Sequence, residues 1–180
     1  MVGQVLSNND FWASIEQAWS TVDDGGARAR LLTPSSDDSE DRYALAEELD
    51  KHMDAMLAAL RDILNTYTSR RLCVWDAYCE RALYDIDRED VHAALDGSDD
   101  GFLYARGFVV AAGRAYYDLV NKNPAKYGIM DAECEEMCYF GAHVHQDRFG
   151  EWTPKSGISR ETCSNKEGWK NCEWKAKGFR

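Results

Sequence analysis

The chain has 180 residues, of which 44% are hydrophobic and 29% charged, and its net charge is −11. That is enough apolar material for one domain with its own core, and a content of only three prolines suits a helical protein better than a fold of short strands. The negative charge disfavours nucleic acid as a partner, and no apolar run reaches the roughly 18 residues of a membrane-spanning helix.

The N-terminal ten residues lack the basic and apolar regions of a signal peptide. We therefore expect a cytoplasmic protein that does not act at a membrane and whose six cysteines are mostly reduced.

Helical periodicity dominates the first half of the chain. Asn9 or Asp10 is predicted to cap the first helix, since either side chain can accept a backbone N–H of the first turn. The elements predicted in order are a helix at 11–22, one or two helical turns at 27–32, a polar loop at 33–41, a long helix at 42–67 and a shorter helix from about residue 71.

Residues 98–122 are predicted to form one central helix. Ser98 is a good N-cap. The helix is predicted to end before Pro124, because the residue before a proline avoids the α region. Most of the circumference of this helix is apolar, which places it in the middle of a bundle. Gly107 and Gly113 are expected where another helix comes close.

An acidic connection at 85–97 with one helical turn at 89–95 precedes the central helix, and a last helix is predicted at 131–145. The predicted fold is all-α, a single up-and-down helical bundle around a central helix at about 98–122, with a mostly irregular C-terminal tail.

Charge divides the chain into two parts. Residues 1–149 carry 14 Lys and Arg against 28 Asp and Glu, whereas residues 150–180 carry 7 against 4. We therefore predict an acidic bundle domain at 1–149 and a basic, Trp/Lys-rich tail at 150–180 that packs on the bundle.

Three motifs resemble a bacterial family known as domain of unknown function 4240. They are FWASIEQAW at 11–19, VWDAY at 74–78 and SDDGFLYARGFVVAAGRAYYD at 98–118. The resemblance covers roughly residues 9–140 and implies a helical fold without implying an activity. The connection before Ser98 is longer than in the family, and the segment after Phe149 resembles nothing in it.

Polar residues shared with the family form the first candidate site. They are Asp76, Asp99, Asp100 and Arg106. An arginine against several carboxylates is typical of a buried ion-pair network that fixes the register of the helices. Alternatively, the guanidinium binds a carboxylate or phosphate ligand in bidentate geometry. We favour the structural network.

A divalent-metal site is the second candidate. His143, His145 and Asp147 share one face if this stretch is extended, because side chains alternate along a strand. Zinc or iron is the cofactor this arrangement would hold. On a continuing helix the two histidines point in nearly opposite directions, and the site is lost.

Four cysteines offer another zinc hypothesis, at positions Cys134, Cys138, Cys163 and Cys172. Their spacing is not that of a Cys-x-x-Cys knuckle. A disulfide between the last two requires an oxidising setting that nothing else in the sequence suggests, so buried reduced thiols are the simpler interpretation.

The tail interleaves aromatic and basic residues. Trp152, Trp169 and Trp174 are candidates for binding a partner. Such a segment stacks on single-stranded nucleic acid, docks into a groove of another protein or folds back on the acidic bundle. We favour the last, through cation–π contacts and packing of the lysine stems.

Two classes of function follow. No nucleophile elbow, phosphate-binding loop or dinucleotide fingerprint is present in the sequence. We therefore prefer a protein-binding or regulatory module. The alternative is a small helical metal-binding protein or enzyme that uses the His-x-His-x-Asp residues or the Asp/Arg cluster.

Overall fold

The computed structural model describes residues 6–34, 39–170 and 172. Within these residues all regular structure is helical, as predicted, and no strand is formed. The helices are α1 (Asn8–Trp19), α2 (Ala27–Leu31), α3 (Ser39–Asn65), α4 (Ser69–Asp85), α5 (Glu89–Leu95), α6 (Asp99–Ala111), α7 (Arg114–Lys122), α8 (Pro124–Tyr127), α9 (Glu135–Cys138) and α10 (Phe140–Phe149).

The first helix begins earlier than predicted because Ser7, and not Asn9 or Asp10, is its N-cap. The Ser7 hydroxyl accepts the backbone N–H of Asp10 at 3.2 Å, and the Asp10 carboxylate accepts the backbone N–H of Ser7 at 2.8 Å. This reciprocal capping box satisfies two donors that would otherwise have no partner. The buried face of α1, which includes Phe11 and Ile15, packs on α3 and α4.

The predicted single central helix is wrong, because the chain breaks at Gly113 into α6 and α7. Gly113 has φ +103°, which L-residues with a side chain rarely adopt, and any Cβ there would collide with Arg28 and Glu16. Ser98 does cap the run, accepting the backbone N–H of Gly101 at 3.2 Å. The predicted close approach at Gly107 is also confirmed, since its Cα faces the backbone carbonyl of Cys134.

The last predicted helix is likewise two helices. The non-helical backbone of Tyr139 (φ −127°, ψ 16°) separates α9 from α10, and α9 begins only at residue 135. Beyond the break, α10 packs on α4, where Gly141 lies against the ring of Trp75. The helical conformation then continues to Phe149, four residues further than predicted.

Helix α6 runs through the core, with every residue from Phe102 to Ala111 except Tyr104 buried. It contacts α4, α5, α7 and α9. Residues 150–170 form no helix and cross α4 and the start of α6, with hydrogen bonds from Thr153 to Asp76 and from Thr162 to Asp99. At the start of α5 the backbone N–H of Glu89 donates to the carbonyl of Gly168 at 2.9 Å. Among the described residues, none of the helices combines the length and apolar character needed to cross a bilayer.

Candidate functional site

The carboxylate of Asp76 on α4 is buried and ion-paired with an arginine from the tail. Nη1 and Nη2 of Arg160 face the two carboxylate oxygens at 3.4 Å and 3.2 Å, and the Thr153 hydroxyl donates to the same group at 2.7 Å. The side chains of Asp76 and Arg160 are only 5% and 8% exposed. Either charge would be costly to bury alone, so each of the two side chains depends on the other for its burial.

Arg160 has further partners that complete its surroundings. Its Nη2 lies 3.5 Å from a carboxylate oxygen of Glu80, its Nη1 donates to the carbonyl oxygen of Cys138, and its guanidinium lies 4.9 Å from the ring centre of Tyr139. Burial alone would lower the pKa of Arg160, but the adjacent Asp76 and Glu80 carboxylates raise it above its ordinary value. The guanidinium is therefore permanently charged.

Arg106 on α6 is fully buried in a separate network. Its Nη1 donates to the carbonyl of Leu83 at 2.9 Å and its Nη2 to the hydroxyl of Thr162 at 3.2 Å, and that hydroxyl donates to the carbonyl of Asp99 at 2.7 Å. Burial lowers the pKa of Arg106, and the charge that opposes this effect most is the carboxylate of Asp87.

The structure therefore divides the predicted Asp/Arg cluster. Asp76 pairs with Arg160 and not with Arg106, while Asp99 reaches Arg106 through its backbone and Thr162. The carboxyl group of Asp99 is half-exposed, and burial together with the neighbouring charge of Asp100 raises its pKa. Asp100 itself is exposed.

Asp87 is a fully buried carboxylate that fixes residues 163–169 of the tail. One oxygen accepts the backbone N–H of Cys163 at 3.0 Å and the indole N–H of Trp169 at 2.9 Å, and the other accepts the backbone N–H of Asn165 at 2.9 Å. Three N–H donors converging on one carboxylate replace the water it loses on burial. These hydrogen bonds determine the path of residues 163–169 around the Asp87 carboxylate.

The tail and the bundle enclose an open groove of about 720 Å³, which we call the tail groove. Its lining combines residues of α4, of the α9–α10 region and of the tail: Asp76, Glu80, Tyr84, Tyr139, Ala142, Trp152, Thr153, Pro154, Lys155, Gly157, Ile158, Ser159, Arg160, Glu161 and Ser164. Three of these side chains are acidic and two are basic. The volume lies in the range of ligand-binding clefts.

The predicted metal residues do not all share a face, because they lie on helix α10 rather than on an extended segment, and on a helix His143 and His145 point in nearly opposite directions. His145 is buried, with its ring nitrogens 2.8 Å from the Ser69 hydroxyl and 2.7 Å from the carbonyl of Glu151. His143 is exposed, and Asp147 pairs with Arg61 at 2.7 Å. Nowhere in residues 6–34, 39–170 and 172 do three His, Cys, Asp or Glu side chains form a group suited to a metal ion.

The three tryptophans of the partner-binding hypothesis differ in position. Trp152 is 60% exposed at the edge of the tail groove, with its ring centre 5.5 Å from that of His143. Trp169 turns inward, donates to Asp87 and packs 5.8 Å from the ring of Phe102. Trp174 lies outside the described residues. Of the two that the structure describes, only Trp152 presents most of its ring to solvent.

The six cysteines form one disulfide and leave four free thiols. Cys163 and Cys172 form a disulfide, so the four-cysteine zinc site is not assembled. The free thiols are Cys73, Cys79, Cys134 and Cys138. Burial raises the pKa of both Cys134 and Cys138 to about 12, and it raises those of Cys73 and Cys79 as well.

The model of a protein family, described as Protein of unknown function (DUF4240), matches residues 6–147. The chain belongs to this family. The match ends before the groove-lining part of the tail, so the family domain contributes Asp76, Glu80 and Tyr139 to the tail groove, whereas the tail contributes Arg160 and Glu161. Neither the curated proteins nor the solved structures include a match to the chain.

Sequence reasoning missed the residues that organise this region. Asp87 lies in an acidic stretch that is typical of a solvent-exposed segment. Arg160 is an isolated cation in a segment without periodicity. No local pattern distinguishes either from a surface residue, because their partners are more than 70 positions away.

Replacement of the Asp87 carboxylate tests its role as an anchor. Asp87→Asn keeps the shape but replaces one acceptor oxygen with an NH₂ group, which leaves buried donors without partners, and should lower the free energy of unfolding by about 2–3 kcal/mol. Urea denaturation measures the change. Asp118→Asn, which removes the same charge from an exposed pair with Arg114, is the matched control. Equal, small effects of the two substitutions would contradict the anchoring role.

Thiol counting tests the disulfide. In denaturant without reductant, four cysteines should be alkylated, and reduction should raise the number to six, as read by intact mass. In the native protein at neutral pH, half-buried Cys73 should react first, since burial and raised pKa values protect Cys134 and Cys138. Six alkylated cysteines before reduction would show that the bond is absent.

Proposed function

We propose that this protein is a protein-binding module that receives a basic, extended segment of a partner in the tail groove. The observation that carries the proposal is an open, acid-rich groove with an exposed tryptophan at its edge. Three carboxylates and two cations line the groove, and with Asp76 and Arg160 paired in the floor the other charged side chains are Glu80, Glu161 and Lys155. Attraction from a chain of net charge −11 adds to this local preference.

Glu161 is the acidic residue best placed to meet a ligand. Its side chain is exposed and, within the described residues, accepts a hydrogen bond from the Tyr139 hydroxyl at 2.5 Å. A carboxylate has about four acceptor positions, so capacity remains for an arginine or lysine donor. A charge-assisted hydrogen bond at this site would be roughly twice as strong as a neutral one.

Trp152 provides a second contact of the kind a cation requires. Its indole is largely exposed at the groove edge, where a positively charged side chain could pack on its face. Tryptophan is also enriched among the residues that dominate binding energy at protein interfaces.

Binding fits the groove better than catalysis. Asp76 is engaged by Arg160 and Thr153, Glu80 by Ser156 and Arg160, and Glu161 by Tyr139. Asp76 and Glu80 are held by fixed partners, whereas a general acid or base needs a proton that it can exchange with the substrate, and Glu161 keeps acceptor positions for a bound cation. The alternative of a small helical metalloprotein or enzyme has no comparable support in the described residues, where the His-x-His-x-Asp side chains diverge.

A bacterial cytoplasmic setting remains part of the proposal. The free cysteines, which outnumber the bonded ones, support a reducing compartment. The disulfide between Cys163 and Cys172 argues for the opposite. The thiol count in protein taken directly from cells distinguishes the two.

A labelled peptide tests the proposal directly. A fluorescein-labelled peptide of alternating arginine and glycine should bind the full chain, as measured by anisotropy, and an alternating glutamate and glycine peptide should not. Glu161→Gln should weaken binding about tenfold, since one charge-assisted bond is lost, and Trp152→Ala about fivefold, since one cation–π contact is lost.

Glu167→Gln is the matched control, because it removes the same charge from an exposed tail residue that does not line the groove. Binding to this variant should equal that of the unaltered chain. If Glu167→Gln weakens binding as much as Glu161→Gln does, the attraction is to overall charge and the groove is not the site.

A further inference from the structure

The surroundings of Arg160 have the composition of a receptor for a guanidinium group. A carboxylate faces its two terminal nitrogens, a second carboxylate lies 3.5 Å away, a backbone carbonyl accepts one N–H and an aromatic ring lies under the plane. These are the groups that recognise the flat, forked arginine head and discriminate against the compact ammonium of lysine.

The receptor and its occupant come from different parts of the chain. All the acceptor groups belong to residues 76–139, inside the segment that matches the family, whereas Arg160 lies beyond its end. The site also opens into the tail groove, since Asp76, Glu80, Tyr139 and Arg160 all contribute to the lining. An arginine arriving through the groove therefore meets the same acceptors.

We infer that the family domain carries a guanidinium-binding site, which this chain fills with its own Arg160 and which accepts an arginine side chain from another molecule when Arg160 is withdrawn. The tail thus acts as a built-in ligand for the floor of the groove. The identity of the external arginine rests on the proposed function, in which a basic segment of a partner enters the groove. Within that segment, the site selects arginine over lysine as the deeply bound residue.

Chemical rescue tests the site without any partner. Arg160→Ala leaves the Asp76 charge buried without its counter-ion, and the midpoint of thermal unfolding should fall by about 10 °C. Methylguanidinium at about 50 mM should then raise that midpoint by about 3 °C relative to methylammonium at equal concentration. The unaltered chain, whose site is filled, should show no such difference between the two cations.

The double variant Asp76→Asn/Arg160→Ala is the matched control, because it has the same cavity without the charge of Asp76, while Glu80 is kept. It should lose most of the preference for methylguanidinium. An equal response of Arg160→Ala to both cations, or an undiminished preference in the double variant, would overturn the inference.

A second variant covers the case in which Arg160→Ala does not fold. Arg160→Gln keeps one amide donor for Asp76 and should still be stabilised more by methylguanidinium than by methylammonium, although by a smaller shift. Its failure to discriminate would also overturn the inference. Failure of the basic peptide to bind the unaltered chain, with rescue intact, would instead count against the proposed function.

Discussion

The ion pair between Asp76 and Arg160 ties the helical bundle to the tail. Asp76 follows Trp75, the largest side chain fully buried in the core, so its position is set by packing of α4 and not by its own charge. A carboxylate in that position must find a cation and hydrogen-bond donors, or the cost of its desolvation falls on the whole fold. Arg160 and Thr153 meet that requirement, and the groove exists because they reach over α4 to do so.

The same constraint recurs at Asp87 and Arg106. Both are completely buried, and both are satisfied by groups of the tail, Cys163, Asn165 and Trp169 in one case and Thr162 in the other. The described part of the tail contains no helix, yet it is held in place because it supplies hydrogen-bond partners to these buried charged groups. Its irregular path is therefore specified by the bundle.

Periodicity predicted the fold well where one helix face is buried and poorly where a chain turns inside an apolar stretch. The all-helical class and most helices of the first half could be predicted, because their apolar stripes repeat every three to four residues. The breaks at Gly113 and Tyr139 could not, since apolar residues continue on both sides of each. Asp76 and Arg106 could be singled out through the family motif, whereas their partners at 160 and 162 depend on contacts between distant segments.

Amide hydrogen exchange of the tail tests the central claim, that buried charge on the bundle holds residues 153–169 in place. The amides of Cys163 and Asn165 donate to the buried Asp87 carboxylate, so they should exchange at least about 100-fold more slowly than in an unstructured chain. Amides of α6 provide the internal reference for the folded core. Exchange of Cys163 and Asn165 at the unstructured rate, with α6 still protected, would show that the tail is not held on the bundle and would contradict this account.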